Sequence, residues 1–395
     1  MKIKHYYKFG IFFTAFFIPF LPFRYIALIQ LASFGLYFFE KIRNGEKFIF
    51  NKLDYAVGAF YLFLVLSTVF SETFNLSIVL LLYYTVGITM YWIISREFNK
   101  TDFIIMGLLF LASSMLVSMV GIKQYLSGDL GKVSWLDAKA NPNIKARAYS
   151  VFNNPNVLGE YLLVVLVINM GLIVTSKNFW RGFLLSAPLG INLLTLLLTF
   201  SRGAWGGFVL AVILFIIVFD KRWIPLLGVF GILVLFVLPD VFVDRILTIF
   251  MSSGDSSTDY RFFIWMGSKN ILKDYWIFGT GLGYGSFSKV YSLYRMGEIY
   301  AAHSHNVFFE ILLETGIFGI VSFVYMIIKS FVLGVQRIIN SNDLFDRVII
   351  IIGMASLSGL FLHGMVENTL FDVRIVTLIW ILLGFIMFQK KVETV

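Results

Sequence analysis

The stretch AWGGFVLAVILFIIVFDKRWIPLLGVFGILVLFVLP (204–239) decides the fold. It holds two uncharged apolar runs, 204–219 and 223–239, separated by Asp220, Lys221 and Arg222. Each run approaches the roughly 20 residues with which a helix crosses the hydrocarbon of a bilayer. The charged triplet fits a tight turn between two spans. Working outward, apolar runs between charged breaks recur at 9–23, 25–39, 54–70, 76–95, 103–121, 157–175, 183–200, 306–328, 348–370 and 373–388. With the opening pair, this predicts about 12 transmembrane helices in an all-α polytopic membrane protein, a single integral membrane domain over 1–395. Pro19 and Pro22 leave a re-entrant pair as an alternative for the first two runs. Lys2, Lys4 and Lys8 precede the first run with no small-residue cleavage site after it, which reads as an uncleaved anchor.

Composition agrees. Of 395 residues, 59% are hydrophobic and only 14% charged, against about 45–50% and about 25% in soluble domains. That excludes a soluble enzyme, a disordered chain and a nucleic-acid-binding module, although Lys and Arg number 32 against 23 Asp and Glu. The bilayer is the expected partner, and no nucleic acid is. The absence of cysteine removes disulfides, zinc–thiolate sites, iron–sulfur clusters and cysteine nucleophiles. No spacing of His, Asp or Glu suggests a metal site, and no cofactor is expected.

The surplus of positive charge sets an orientation. With the N-terminus in the cytoplasm, 18 Lys and Arg fall on that side, and only Arg24, Arg202 and Arg374 lie on short outer loops. This is the asymmetry of the positive-inside rule, and it places both termini in the cytoplasm. Two long loops then lie outside, 122–156 and 240–305, the second between helices nine and ten. Within the latter, 260–278 (YRFFIWMGSKNILKDYWIF) sets Phe262, Trp265 and Trp276 beside Lys269 and Lys273, as an amphipathic helix lying in the interface would. Extended loops on a rigid scaffold are where function is expected.

The candidate chemistry gathers on that outer face. His303 and His305 stand in AAHSHNVFFEILLETGIFG (301–319), where the long loop enters helix ten, with Asn306 following. A neutral imidazole suits proton abstraction near pH 7, and the alternative is a helix-capping histidine. Arg202 in TFSRGAWGG (199–207) opens helix eight, where its charge adds to the positive end of the helix dipole. A phosphate arriving between them would relieve that, gripped bidentately by the guanidinium. Arg261 would supply a second arm for a diphosphate. The competing reading of each arginine is a headgroup anchor. Glu160, Glu310, Glu314 and Glu367 also lie toward this face, Glu367 one turn beyond His363. Such carboxylates either line a wet cleft, orient an imidazole or pair with arginine; a proton relay is the lesser alternative, because the groups crowd one face and do not span the bilayer. GTGLGYGS (279–286) lacks the strand–helix setting of a phosphate loop and reads as a flexible turn.

Four stretches together carry a resemblance: VFNNPNVLGEYLL (151–163), LLLTFSRGAWGGFVLA (196–211), DYRFFIWMGSKNILKDYWIFGTGLGYGSF (259–287) and HSHNVFFEILLETGIFGIV (303–321). FLHGMVENTLFDVRIVTLIWILLG (361–384) adds the last two spans. In these motifs the chain resembles the O-antigen ligase/polymerase family of bacterial membrane glycosyltransferases. The resemblance implies a GT-C-like architecture in the plasma membrane with an extracytoplasmic active site. It implies an undecaprenyl-diphosphate-linked glycan as donor, a lipid, glycan or protein acceptor, and inverting transfer without metal or cofactor. By motif, His305 would be the catalytic base, and Arg202 and Arg261 would bind the donor diphosphate. His303, Asn306, Asn156, Glu160, Glu310 and Glu367 would line the cleft or support it, with His303 a competitor for the base. Ligation and repeat-unit polymerisation share this chemistry, and the residues do not choose between them. A transporter or flippase of lipid-linked sugars is the contrasting class. It would favour two related halves and broken helices meeting at mid-membrane, whereas here the polar residues collect at one face.

Overall fold

A computed structural model describes residues 5–129, 144, 146–247 and 256–388, and every regular element among them is helical. In chain order these are α1 (Phe9–Phe17), α2 (Phe23–Arg43), α3 (Asp54–Val69), α4 (Phe74–Glu97), α5 (Lys100–Ser127), α6 (Pro155–Thr175), α7 (Phe179–Leu198) and α8 (Arg202–Asp220). Then follow α9 (Ile224–Val237), α10 (Asp240–Leu247), α11 (Ser256–Tyr275), α12 (Tyr284–Tyr294), α13 (Val307–Asn340), α14 (Leu344–His363) and α15 (Val373–Ile386).

A helix stands at each of the twelve expected places, but not each is long enough to cross a membrane. Eight stretches among the described residues are: α2, α4, α5, α6, α7, α13, α14 and Arg202–Leu233, which joins α8 to most of α9. The apolar helices α3 and α15 are shorter, and α1 has nine residues before the chain turns at Ile18–Leu21. Hydropathy alone overstates helix length here because the turn is apolar, and it is Pro19 and Pro22 that end α1 and open α2. The chain is therefore a helical polytopic membrane protein with eight stretches of spanning length among the described residues, and the count of twelve is not established.

Local chemistry sets the helix ends. Asn99 and Asp102 form a capping box at the start of α5, satisfying N–H groups that the first turn leaves unpaired. Asn154 caps α6 ahead of Pro155, and Asp343 and Asp372 cap α14 and α15. Between helices, close approach replaces the hydrophobic effect, which is weak among apolar surfaces in lipid. Gly207 of α8 faces Gly359 of α14, and a Cβ on either would lie 2.5 Å from the other's carbonyl oxygen. Hydrogen bonds from Asn192 to Ser114 and from Ser118 to Asn192 tie α7 to α5.

The bundle has two chemically distinct ends. At one, basic residues pair with acids: Lys8 with Asp102 at 2.6 Å, Lys41 with Glu97 at 2.9 Å, Arg96 with Asp54, and Lys100 with Asp343. Residues expected to orient the chain thus also bind its helices together. At the other end, where α6 begins and α14 ends, lie the candidate site residues.

The 240–305 segment carries α10, α11 and α12, with 248–255 outside the described residues. It has a small core of its own, in which Ile264, Ile271, Phe287, Val290 and Tyr291 pack with Leu313 of α13. The glycine-rich 279–286 segment is a turn, but a packed one. Thr280 and Gly281 donate backbone hydrogens to the carbonyls of Leu313 and Glu314, and Gly283 N–H donates to Glu314 Oε1 at 2.7 Å. It fastens α12 to α13. In 122–156, residues 130–143 and 145 lie outside the described residues, and α5 runs on to Ser127.

Candidate active site

The site is assembled where several chain segments meet at one end of the bundle: Arg147 and the start of α6, the α7–α8 corner, α10, the first half of α11, the 300–306 approach to α13, and the 364–372 loop between α14 and α15.

Asn306 organises the third of these. Its Oδ1 accepts from Phe308 and Phe309 N–H, capping α13, and its Nδ2 donates to the Met365 carbonyl at 3.0 Å. Val307 N–H donates to the Gly364 carbonyl at 2.7 Å, so the start of α13 is sewn to the turn that follows α14. One residue earlier, His305 adopts φ 53°, in the left-handed region. That conformation is costly for a residue with a Cβ and persists where its surroundings impose it. Here Ser304 N–H donates to Glu310 Oε2 at 2.6 Å, and Trp265 of α11 donates its indole N–H to the Ser304 carbonyl at 2.7 Å. Glu310 and Trp265 thus hold the HSHN turn from both sides.

The turn aims His305 at Glu367. Nδ1 of His305 lies 2.9 Å from Glu367 Oε1, while Nε2 of His303 is 3.6 Å from the same oxygen. Glu367 Oε2 accepts from Asn156 Nδ2 at 2.7 Å, and Asn368 N–H donates to Oε1. Burial pushes the Glu367 carboxyl up, but the His305 hydrogen bond and the fields of His305, His303 and Arg261 outweigh it and hold the group well below the usual carboxylate range.

The two histidines differ in their partners. His303 Nδ1 accepts the backbone N–H of His305 at 3.2 Å, which assigns the ring proton to Nε2. Its ring stacks 4.6 Å from Phe371. Burial takes its pKa down to about 4, with Glu367 opposing. His305 has Nδ1 on the carboxylate, so its ring proton belongs there and the Nε2 lone pair is open to a reactant. The Tyr260 ring stands edge-on to it at 5.9 Å.

Beside this dyad is a group of arginines. Arg202 is the first residue of α8, as expected, and Arg261 lies on α11 near Tyr260. Sequence reasoning missed two more. Arg147 donates Nε–H to the Thr199 carbonyl at 2.8 Å and Nη2–H to Asn156 Oδ1 at 3.1 Å. Arg245 of α10 donates to the Phe200 carbonyl at 3.4 Å. Both clasp the corner just before Arg202, where Phe200 itself has φ 48°. Burial and the positive fields of Arg245, Arg202 and Arg261 pull the Arg147 guanidinium down to about 9, with Glu367 opposing. Four cations gather around one buried corner, an arrangement that Coulomb attraction and the guanidinium fork would suit to an anion. The signal for the missed pair was their place among the few basic residues of the long outer loops.

Of the sequence candidates, His303, His305, Asn306, Glu310, Glu367 and Asn156 are joined by these contacts. Glu160 is one turn below Asn156 on the same face of α6, and its Oε1 lies 3.3 Å from Nδ1 of His363, deep between helices. Glu314 serves the packed turn at Gly283. Arg374 pairs with Asp372 and stacks on Phe152, which removes it from the anion site. Where sequence spacing offered no metal cluster, the fold brings ligand atoms of His303, His305 and Glu367 within 4.8 Å of one another, compact enough for a small cation.

No curated protein matches the chain. Residues 187–324, from within α7 to within α13, match the family model described as O-antigen ligase, and that segment holds Arg202, Arg245, Arg261, His303 and His305.

Proposed function

We propose that the protein is an inverting glycosyltransferase of the bacterial plasma membrane. It transfers a glycan from an undecaprenyl-diphosphate carrier to an acceptor hydroxyl at the outer face. The observation that carries this reading is the 2.9 Å contact of His305 Nδ1 with Glu367 beside the arginine-lined corner. Carboxylate and imidazole have the relation that leaves Nε2 basic and stabilises the imidazolium once it forms.

In the reaction, the acceptor oxygen attacks the anomeric carbon while its proton passes to His305 Nε2. The bond from the anomeric carbon to the carrier's phosphate oxygen breaks, and undecaprenyl diphosphate leaves with the electron pair. Arg202 and Arg261 bind the phosphates and offset the charge that grows on the leaving oxygen, where fixed cations act most strongly. Attack opposite the leaving group inverts the anomeric centre in one displacement. His303, whose Nδ1 is engaged by backbone, supports the turn. The donor and acceptor could equally be growing repeat units, as in a polymerase, because the chemistry is the same.

The test is reconstitution in proteoliposomes with an undecaprenyl-diphosphate glycan and candidate acceptor lipids or glycans. Release of carrier diphosphate should be coupled to glycan transfer, fall by roughly 10²-fold or more in His305→Ala, and fall strongly in Arg202→Lys, which keeps the charge and loses the fork. Equal turnover by His305→Ala removes the base. Movement of intact donor across the bilayer without bond cleavage establishes a flippase instead.

A further inference from the structure

Arg147 lies outside both the quoted motif stretches and the matched segment 187–324, yet it touches both halves of the site. A guanidinium is a rigid plane, so two hydrogen bonds fix it. One goes to the Thr199 carbonyl at the α7–α8 corner, three residues before Arg202, and the other to Asn156 at the start of α6. The Asn156 amide is then set at both ends: Oδ1 faces the cation, and Nδ2 faces Glu367 Oε2 at 2.7 Å. Reversing that amide would point NH₂ at a guanidinium and a carbonyl at a carboxylate, so only one orientation is stable. Glu367 turns its other oxygen to His305. An unbroken line of hydrogen bonds therefore runs from the phosphate corner to the base: Arg147, Asn156, Glu367, His305.

We propose that Arg147 is a positioning residue that couples occupancy of the diphosphate site to the orientation of His305. This rests on the donor and base assignments above. Arg147 sits in the combined field of Arg245, Arg202 and Arg261, and a diphosphate among these cations relieves their mutual repulsion. That relief steadies Arg147 against the corner, and through Asn156 it steadies the carboxylate that holds the imidazole. Coupling of this kind is reciprocal: what tightens the donor site orients the base, and what loosens the relay loosens both. Arg245 clasps the Phe200 carbonyl on the same corner and contributes its charge there.

The test compares Arg147→Lys, Asn156→Ala and their double variant with wild type and His305→Ala in the reconstituted assay. Inorganic diphosphate serves as an activity-independent probe, read by its shift of the melting temperature in detergent. Arg147→Lys, which keeps the charge and breaks the line, should lose at least about tenfold in kcat and also show a smaller diphosphate-induced shift than wild type, because the coupling runs both ways. Asn156→Ala should lose kcat similarly, and the double variant should fall no further, because both break one line. Losses that multiply in the double variant overturn the coupling, as does a kcat for either single variant within about threefold of wild type. If Arg147→Lys fails to fold, Asn156→Ala alone decides. Turnover by His305→Ala equal to wild type defeats the parent reading; a silent His305→Ala beside a normal Arg147→Lys defeats only this one.

Discussion

Glu367 accepts the Nδ1 hydrogen of His305 at 2.9 Å from a carboxylate only 8% exposed, and the imidazole is 21% exposed. The pair thus has a dry side and a wet side. Its dry side fixes tautomer and direction, and its wet side leaves Nε2 able to meet a substrate hydroxyl. Glu367→Gln keeps the volume and an acceptor oxygen but removes the charge that stabilises an imidazolium. Turnover should fall by about 10²–10⁴-fold with donor KM little changed. Steady-state kinetics of carrier-diphosphate release checks this, and a loss confined to KM would assign Glu367 to donor binding.

Acid should loosen the site, and the sign follows from two groups. His303 has an ordinary pKa of 6.5 and a folded value of about 4, lowered by burial, so protonation favours the unfolded chain. The stability it contributes is fully present above pH 6.5 and is lost as pH falls toward 4. Glu367, held far below its ordinary 4.5, adds a loss only below that value. The melting temperature in detergent should be flat from about pH 8 to 7 and decline between 6.5 and 4. His303→Gln should flatten the decline. Parallel curves for variant and wild type would remove His303 as its source.

The contrast between these histidines shows what sequence patterning carries and what it does not. Hydropathy placed α4, α6, α7, α8 and α15 to within a few residues, because a membrane helix announces itself by the length of its apolar run, but it ended α5 and α13 short of Ser127 and Asn340 and carried α14 past His363. It carried the first run to residue 23 by apolarity alone, whereas α1 stops at Phe17 just ahead of Pro19 and Pro22, the two residues that mark the turn. In the site, His305 and Asn306 were legible from their place at a helix entrance. Glu367 was legible only as a carboxylate on the right face, because its bond to His305 spans 62 residues of chain. Arg147 was lost among the loop cations: its partners Thr199 and Asn156 are set by the meeting of three helices, which no local spacing encodes. The metal-sized His303–His305–Glu367 group escaped for the same reason.

That group gives a prediction of its own. Nε2 of His303, Nδ1 of His305 and Oε1 of Glu367 are donors of the type zinc prefers. Binding there would displace the Nε2 proton of His303, the Nδ1 proton of His305 and the carboxylate contact on which the base depends. Chelation by EDTA should leave turnover unchanged, and added Zn²⁺ should inhibit in competition with protons, less so in His303→Gln. An enzyme silenced by EDTA and revived by Zn²⁺ would make the trio a resident metal site and end the metal-free mechanism.

The position of Arg202 depends on a glycine one residue on. A Cβ on Gly203 would lie 2.4 Å from His363 Cδ2 and 3.2 Å from Val366 Cγ2, both on α14 or its following turn. His363 is buried between helices with Glu160 3.3 Å from its Nδ1, so it has little room to retreat. Gly203→Ala should therefore push the first turn of α8 away from α14 and carry Arg202 off the corner that Arg147 and Arg245 clasp. The cost in stability is about 1–3 kcal/mol, typical of overpacking, with a rise in donor KM as Arg202 moves. Gly206 lies one turn along the same helix, where an added methyl would meet nothing within 4 Å. Gly206→Ala should be neutral or slightly stabilising, since alanine is the better helix former. Measuring melting temperature and donor KM for both variants separates a local clash from a general intolerance of α8 to substitution. Equal effects from the two would show that the His363 contact does not set the place of Arg202.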